Sequence, residues 1–182
     1  MKTKIKTLVV LAFVVFLIDS CNDTSNPPSP TDEGEVITTL KVELKDTISG
    51  ALFSYYFRDP DGEGGNHPVQ WDTIKLDTQR VYKVELKILN EFNPNAIIDV
   101  SNEIRAEATS HIICYTPANT GLSVTRTDTD GTYPIGLESL WKSSKKSLGF
   151  INIKLKHQPS TKNGSCDPGE TDIDVIFPLL ID

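Results

Sequence analysis

The chain has 182 residues, of which 38% are hydrophobic, 24% charged and 8% aromatic, with a formal net charge of −7. That length suits one domain, and that composition excludes a disordered or collagen-like chain. With 18 basic residues against 25 acidic ones, a basic face for nucleic acid is excluded as well.

The first predicted element is a targeting segment. Lys2, Lys4 and Lys6 form a basic stretch, and Leu8 to Ile18 is an uninterrupted apolar run. Eleven apolar residues are too few to span a bilayer and suit a signal-peptide core. Ile18-Asp19-Ser20-Cys21 then reads as a lipobox, which predicts cleavage after residue 20 and lipidation of Cys21. Acylation converts a soluble domain into a membrane-anchored one. Cleavage removes three of the 18 basic residues and one of the 25 acidic ones, leaving a net charge of −9. Residues 22–35 are polar, Pro-rich and aperiodic, and read as a tether. Fully extended, they reach about 45 Å. Residues 1–20 are thus predicted to be the signal peptide, 21–35 the lipidated Cys and its tether, and 36–182 a single β domain.

Within that domain, period-two alternation predicts strands. Thr38, Leu40, Val42 and Leu44 share a face, opposite Thr39, Lys41, Glu43 and Lys45. After the turn chemistry of Asp46 to Gly50, Phe53, Tyr55 and Phe57 mark a second strand. Trp71 to Leu76 is a third. Tyr82, Val84, Leu86 and Ile88 mark the clearest one. Five more follow at His111–Tyr115, Leu122–Thr127, Leu137–Trp141, Leu148–His157 and Ile173–Ile181. Pro178 assigns the last strand to a sheet edge or a bulge. Asp99–Glu107 is the one short helical stretch. About nine strands with regular turn signals predict an all-β fold: an antiparallel β-sandwich, with an up-and-down β-barrel as the alternative.

The connections alternate short and long. If the strands alternate in direction, the four long loops share one end. They hold Asp59, Asp61 and Glu63; Glu91, Asp99, Glu103 and Glu107; Asp128 and Asp130; and Asp167, Glu170 and Asp172. That predicts an acidic, loop-rich end.

Three groups of residues there carry candidate chemistry. Asp59-Pro60-Asp61-Gly62 and Asp128-Thr129-Asp130-Gly131 repeat one pattern, and alternate acids followed by Gly can wrap oxygen ligands around Ca²⁺. Turn chemistry accounts for the same residues through Asx-type hydrogen bonds. Among the histidines, His111 opens one predicted strand and His157 closes another, both at the acidic end. With Glu107 and Glu91 they make a set suited to Zn²⁺. Glu103, Glu107 and His111 are spaced by four, which would stack them on one helical face. Lastly, Cys114 and Cys166 are left once Cys21 is lipidated. An oxidising envelope permits their disulfide, with a buried thiol plus an exposed one as the alternative.

Catalytic signatures are missing. There is no Gly-x-Ser-x-Gly elbow, no P-loop and no dinucleotide fingerprint. The expectation is a protein that is not an enzyme.

Several motifs together resemble a group of short envelope lipoproteins of Bacteroidota. They are Asp59-x-Asp61-Gly62-x-Gly64-Gly65-Asn66-x-Pro68, Leu89-Asn90-Glu91, Asp128-x-Asp130-Gly131, Pro134-Ile135-Gly136-Leu137, Leu155-x-His157-x-Pro159 and Gly169-x-Thr171-Asp172-Ile173. The resemblance implies a lipid-anchored protein of the outer membrane, and as a partner an outer-membrane receptor of the TonB-dependent kind. His111 and His157 belong to the shared pattern; Cys114 and Cys166 do not. Such proteins are sometimes labelled as type 1 periplasmic-binding fold. The short length and lack of alternating βα units here argue against that fold.

The reading that follows is a lipid-anchored, non-enzymatic binding module whose acidic end takes a divalent cation. His111, His157, Glu107 and Glu91 would hold a transition metal such as Zn²⁺. Asp59, Asp61, Asp128 and Asp130 would be the Ca²⁺ set. The competing expectation is an interaction lipoprotein with a protein or glycan partner.

Overall fold

The computed structural model describes residues 36–62 and 65–182. The signal segment, Cys21, the tether and Glu63 lie outside the described residues. In chain order the strands are β1 (Thr39–Asp46), β2 (Leu52–Arg58), β3 (Gln70–Trp71), β4 (Ile74–Leu76), β5 (Val81–Asn90) and β6 (Ile98–Asp99). The helix α1 (Val100–Ala106) follows, then β7 (His111–Ala118), β8 (Leu122–Arg126), β9 (Glu138–Ser143), β10 (Ser147–His157) and β11 (Glu170–Ile181).

These strands form two sheets, neither of which closes on itself. One runs β3-β2-β1-β5-β9-β8, with β6 added to β5, and the other runs β4-β11-β10-β7. Every pairing is antiparallel except β4 with β11. The fold is therefore an all-β sandwich, and the barrel alternative is set aside.

The alternation seen in the sequence is the alternation of burial. Leu40, Val42 and Leu44 of β1 join Val84, Leu86 and Ile88 of β5 in the core, facing Ile151, Ile153 and Leu155 of β10 and Val175, Phe177 and Leu179 of β11. Fully burying one such side chain stabilises the fold by about 1.5–3 kcal/mol. Trp141 of β9 is fully buried in this core. Its Nε1–H donates to Ser139 Oγ at 2.9 Å, and Tyr115 meets it edge-on. The described residues all fall in one compact unit, Gly34–Asp182.

Two expectations need correction. The third strand does not run from Trp71 to Leu76. Gln70 and Trp71 pair with β2, whereas Ile74–Leu76 pair with β11 in the other sheet. Asp72 makes the crossing: its N–H still donates to the Tyr56 carbonyl, while its carboxylate accepts from the Tyr56 N–H and from Gln70 Nε2. The apolar alternation was continuous because Ile74 and Leu76 are buried here, although in a different sheet. Pro178 lies where β11 has β10 on one side only, since β4 begins pairing at Leu179.

The second correction concerns α1. Asp99 caps it, accepting from the Ser101 N–H at 3.0 Å, and Glu107 is its C-cap. The helix is thus too short to stack Glu103, Glu107 and His111 on one face; His111 already belongs to β7.

With β3 and β4 counted as one run and the two-residue β6 left out, strand direction alternates along the chain. Thr39 stands opposite Arg58 and Leu89, Arg126 opposite Ser139, and His157 opposite both His111 and Glu170. The connections after β2, β5, β8 and β10 therefore leave from one end. The short turns after β1, β4, β7 and β9 occupy the other, where they are tied together by bonds such as Thr47 N–H to the Val81 carbonyl and Ser144 N–H to the Gly121 carbonyl.

Candidate metal centre

At the long-loop end, β7 begins where β10 finishes. His111 and His157 are direct cross-strand partners, on the face that carries Ile113 and Leu155 into the core. Their rings stack with 4.7 Å between centroids and 12° between planes. His111 is 3% exposed and His157 half-buried. Glu107, exposed at the end of α1, completes the group: one ligand atom from each of the three lies within 4.8 Å of the others. Among the described residues this is the one group of three or more such side chains close enough to share an ion.

The main chain sets the imidazole chemistry. His111 Nδ1 lies 3.2 Å from the Glu107 carbonyl oxygen. A carbonyl can only accept, so Nδ1 carries the proton and Nε2 keeps the lone pair. Burial pushes the His111 pKa down, and the like-natured ring of His157 adds to this. The Glu107 carbonyl and the charges of Asp172 and Glu107 push it up, by less. His111 is thus held neutral, the form that binds metal.

Three devices fasten the loops around this group. Gln158, fully buried, donates through Nε2 to the carbonyls of Ser165 and Pro168. A disulfide joins Cys166, between them, to Cys114 of β7, with Cα atoms 6.1 Å apart. Lys162 donates to Asp130 at 2.8 Å and to the Ala108 carbonyl at 2.7 Å. It thereby ties together the chain after α1, the β8–β9 loop and the β10–β11 loop. Neither Gln158 nor Lys162 stood out beforehand. For Lys162 there was a signal: it is the lone basic residue after Lys156, in a stretch that also holds Asp167, Glu170, Asp172 and Asp174.

The other expected ligands lie elsewhere. Glu91 is not with the histidines. Its Oε2 accepts from Thr39 Oγ1 at 2.6 Å and pairs with Arg58 at 2.8 Å. Burial raises its pKa, but those two hydrogen bonds outweigh burial and hold it low. The reason is register: Glu91 follows β5 directly, opposite the start of β1, whereas the histidines belong to the other sheet.

The aspartates do not gather three together either. Asp128 accepts from the Gly136 N–H, and Asp130 accepts from the N–H groups of Thr132 and Tyr133 besides pairing with Lys162. That bonding is turn chemistry. Asp61 accepts from Asn66 through both the backbone and side-chain nitrogens, which lowers its pKa. Asp59 sits against Asp61, and burial followed by that neighbour raises its pKa.

Set beside known proteins, the chain matches no family model, no curated protein and no solved structure. Its class is that of an all-β sandwich with a Glu–His–His group at one end.

Proposed function

We propose that the protein is a lipid-anchored envelope binding module, not an enzyme, and that Glu107, His111 and His157 bind a transition-metal ion of the Zn²⁺ type. The observation that carries this reading is the convergence of the three ligand atoms within 4.8 Å. Two imidazoles and one carboxylate suit Zn²⁺, while Ca²⁺ asks for six to eight oxygens. Three protein ligands leave a coordination position open, unlike the closed four-ligand sites that hold a structural zinc.

An ion lies in the plane of each imidazole that binds it. The two near-parallel rings must therefore fan apart, and His157, the more exposed of the pair, is the one that turns. Anchoring rests on the Lys-rich start, the apolar run and the Cys21 lipobox. Among the described residues no helix is long and apolar enough to cross a membrane, so acylation would supply the attachment. An outer-membrane receptor remains the proposed acceptor of the cargo.

Elemental analysis of the purified protein, with thermal melts plus and minus chelator, tests the site. A stoichiometric transition metal, lost in the His111→Ala/His157→Ala double variant without unfolding, is the expected result. Metal retained by that variant, or a melt indifferent to added Zn²⁺, would overturn the assignment, because a ligand that binds only the native state must stabilise it.

A further inference from the structure

The β5–β6 hairpin carries a tip unlike the rest of this acidic end. Residues 92–98, Phe-Asn-Pro-Asn-Ala-Ile-Ile, contain no charge. Phe92 is 71% exposed, Ile97 55% and Ile98 49%. Of the other large exposed apolar side chains, Leu148 and Phe150 share the outer face of β10 with Ile176 of β11, next to Trp71, whereas Phe92, Ile97 and Ile98 are gathered on one hairpin tip.

The tip also satisfies much of its own backbone. The Asn90 side chain accepts from the Phe92 N–H, the Asn93 side chain from the Asn95 N–H, and the Asn93 carbonyl from the Ala96 N–H. Pro94 has no N–H, and Asn90 pairs with Ile98 across the hairpin. Internal satisfaction of backbone groups is what entry into a low-dielectric interface demands.

The root of the hairpin lies beside the first described residues of the chain. The Glu91 N–H donates to Thr38 Oγ1 at 2.7 Å, and the Glu91 charge is compensated there by Arg58. Val36, 56% exposed, lies two residues before Thr38. Beyond it run only the residues leading back to Cys21.

We propose that the hairpin tip, through Phe92, Ile97 and Ile98, contacts the lipid surface beside the acylated Cys21, as a second attachment that turns the long-loop end toward the membrane. An uncharged tip on an acidic end fits zwitterionic headgroups. This proposal rests on the anchoring reading above, so the two need separate readouts.

The test uses the full chain, made in a host that acylates it and reconstituted into phosphatidylcholine vesicles. The mass of the amino-terminal peptide reports acylation by itself. The chain has three cysteines; with Cys21 acylated and the other two bridged, an introduced cysteine is the one free thiol. Spin labels are placed at Phe92→Cys, Ile97→Cys and, at the far end, Lys145→Cys. Collision with oxygen, which concentrates in lipid, is compared with collision with a water-soluble nickel chelate.

The expected result is an oxygen-to-nickel ratio several-fold higher at positions 92 and 97 than at 145. Equal ratios at all three positions overturn the proposal. So does a label at 92 that neither reagent reaches, because that outcome means a protein contact. Should the mass show no acyl group, the anchoring reading fails. The same ratios, read on a Cys21→Ser form of each labelled variant mixed with vesicles, then still decide the hairpin.

Discussion

His111 and His157 stand opposite one another on β7 and β10 with their rings stacked, 4.7 Å between centroids. His111 is 3% exposed, and burial holds its pKa below the ordinary 6.5. The folded state therefore binds fewer protons than the unfolded one when the pH falls below that value. The contribution is complete above about pH 6.5 and is lost as the pH drops through the lower folded value. The melting temperature should fall on acidification from neutral pH, and the fall should be smaller in His111→Gln. Protons also compete with metal for the same imidazole, so metal release should accompany it.

The buried pair of Lys162 and Asp130, with side chains 3% and 5% exposed, makes a second prediction. Removing one partner leaves the other charge buried alone, so Lys162→Met should cost about 3–5 kcal/mol in denaturant unfolding. The double change with Asp130→Asn should be milder than Lys162→Met alone. The Lys162 ammonium and the turn N–H groups draw the Asp130 pKa from 3.8 to about 2. Its contribution is present above about pH 4 and fades as the pH falls toward about 2. Acid titration of Asp130→Asn should lack that limb.

The disulfide between Cys114 and Cys166 spans 52 residues of sequence. A loop of that length predicts about 4 kcal/mol of stabilisation from restricting the unfolded chain. Reduction, or the Cys114→Ser/Cys166→Ser pair, should lower the denaturation midpoint accordingly. Because the bridge covers the strand that begins at His111, metal retention should weaken as well.

Gly169 adopts φ +81, and a Cβ there would fall on the His157 carbonyl oxygen. Gly169→Ala should therefore cost at least about 1 kcal/mol from the left-handed backbone alone. The collision should displace His157. Metal affinity should drop more than in Gly131→Ala, where φ is +99 but nothing lies near the added Cβ. Isothermal titration of the two variants with Zn²⁺ separates the outcomes.

Much of the fold was legible because its signals are local. Leu40 to Leu44 and Tyr82 to Ile88 declare strands by alternation, and Asp99–Glu107 stood out as the one short helical stretch. Loop length with alternating strand direction correctly put the four long connections at one end. Trp71 to Leu76 failed for a local reason too: its alternation said that Ile74 and Leu76 are buried, but not in which sheet.

The site was legible in part. His111, His157 and Glu107 were legible as residue types near strand and helix ends. Glu91 was grouped with them by loop, yet Arg58 and Thr39 claim it. The Asp-x-Asp-Gly repeat of 128–131 turned out to hold its own turn and a buried lysine.

By itself, the order of residues determined what each segment can be: a basic and apolar start followed by Cys21, a polar Pro-rich stretch, strands, one short helix and a cluster of long acidic connections. These follow from side-chain period and backbone preference over a few neighbours. The tertiary structure alone decided that His157 faces His111, that Cys166 reaches Cys114, that Lys162 closes on Asp130 and that Glu91 turns to Arg58. Such partners lie tens of residues apart, and their meeting depends on which strands pair, in which register and in which sheet, which is settled by burial of the whole core at once.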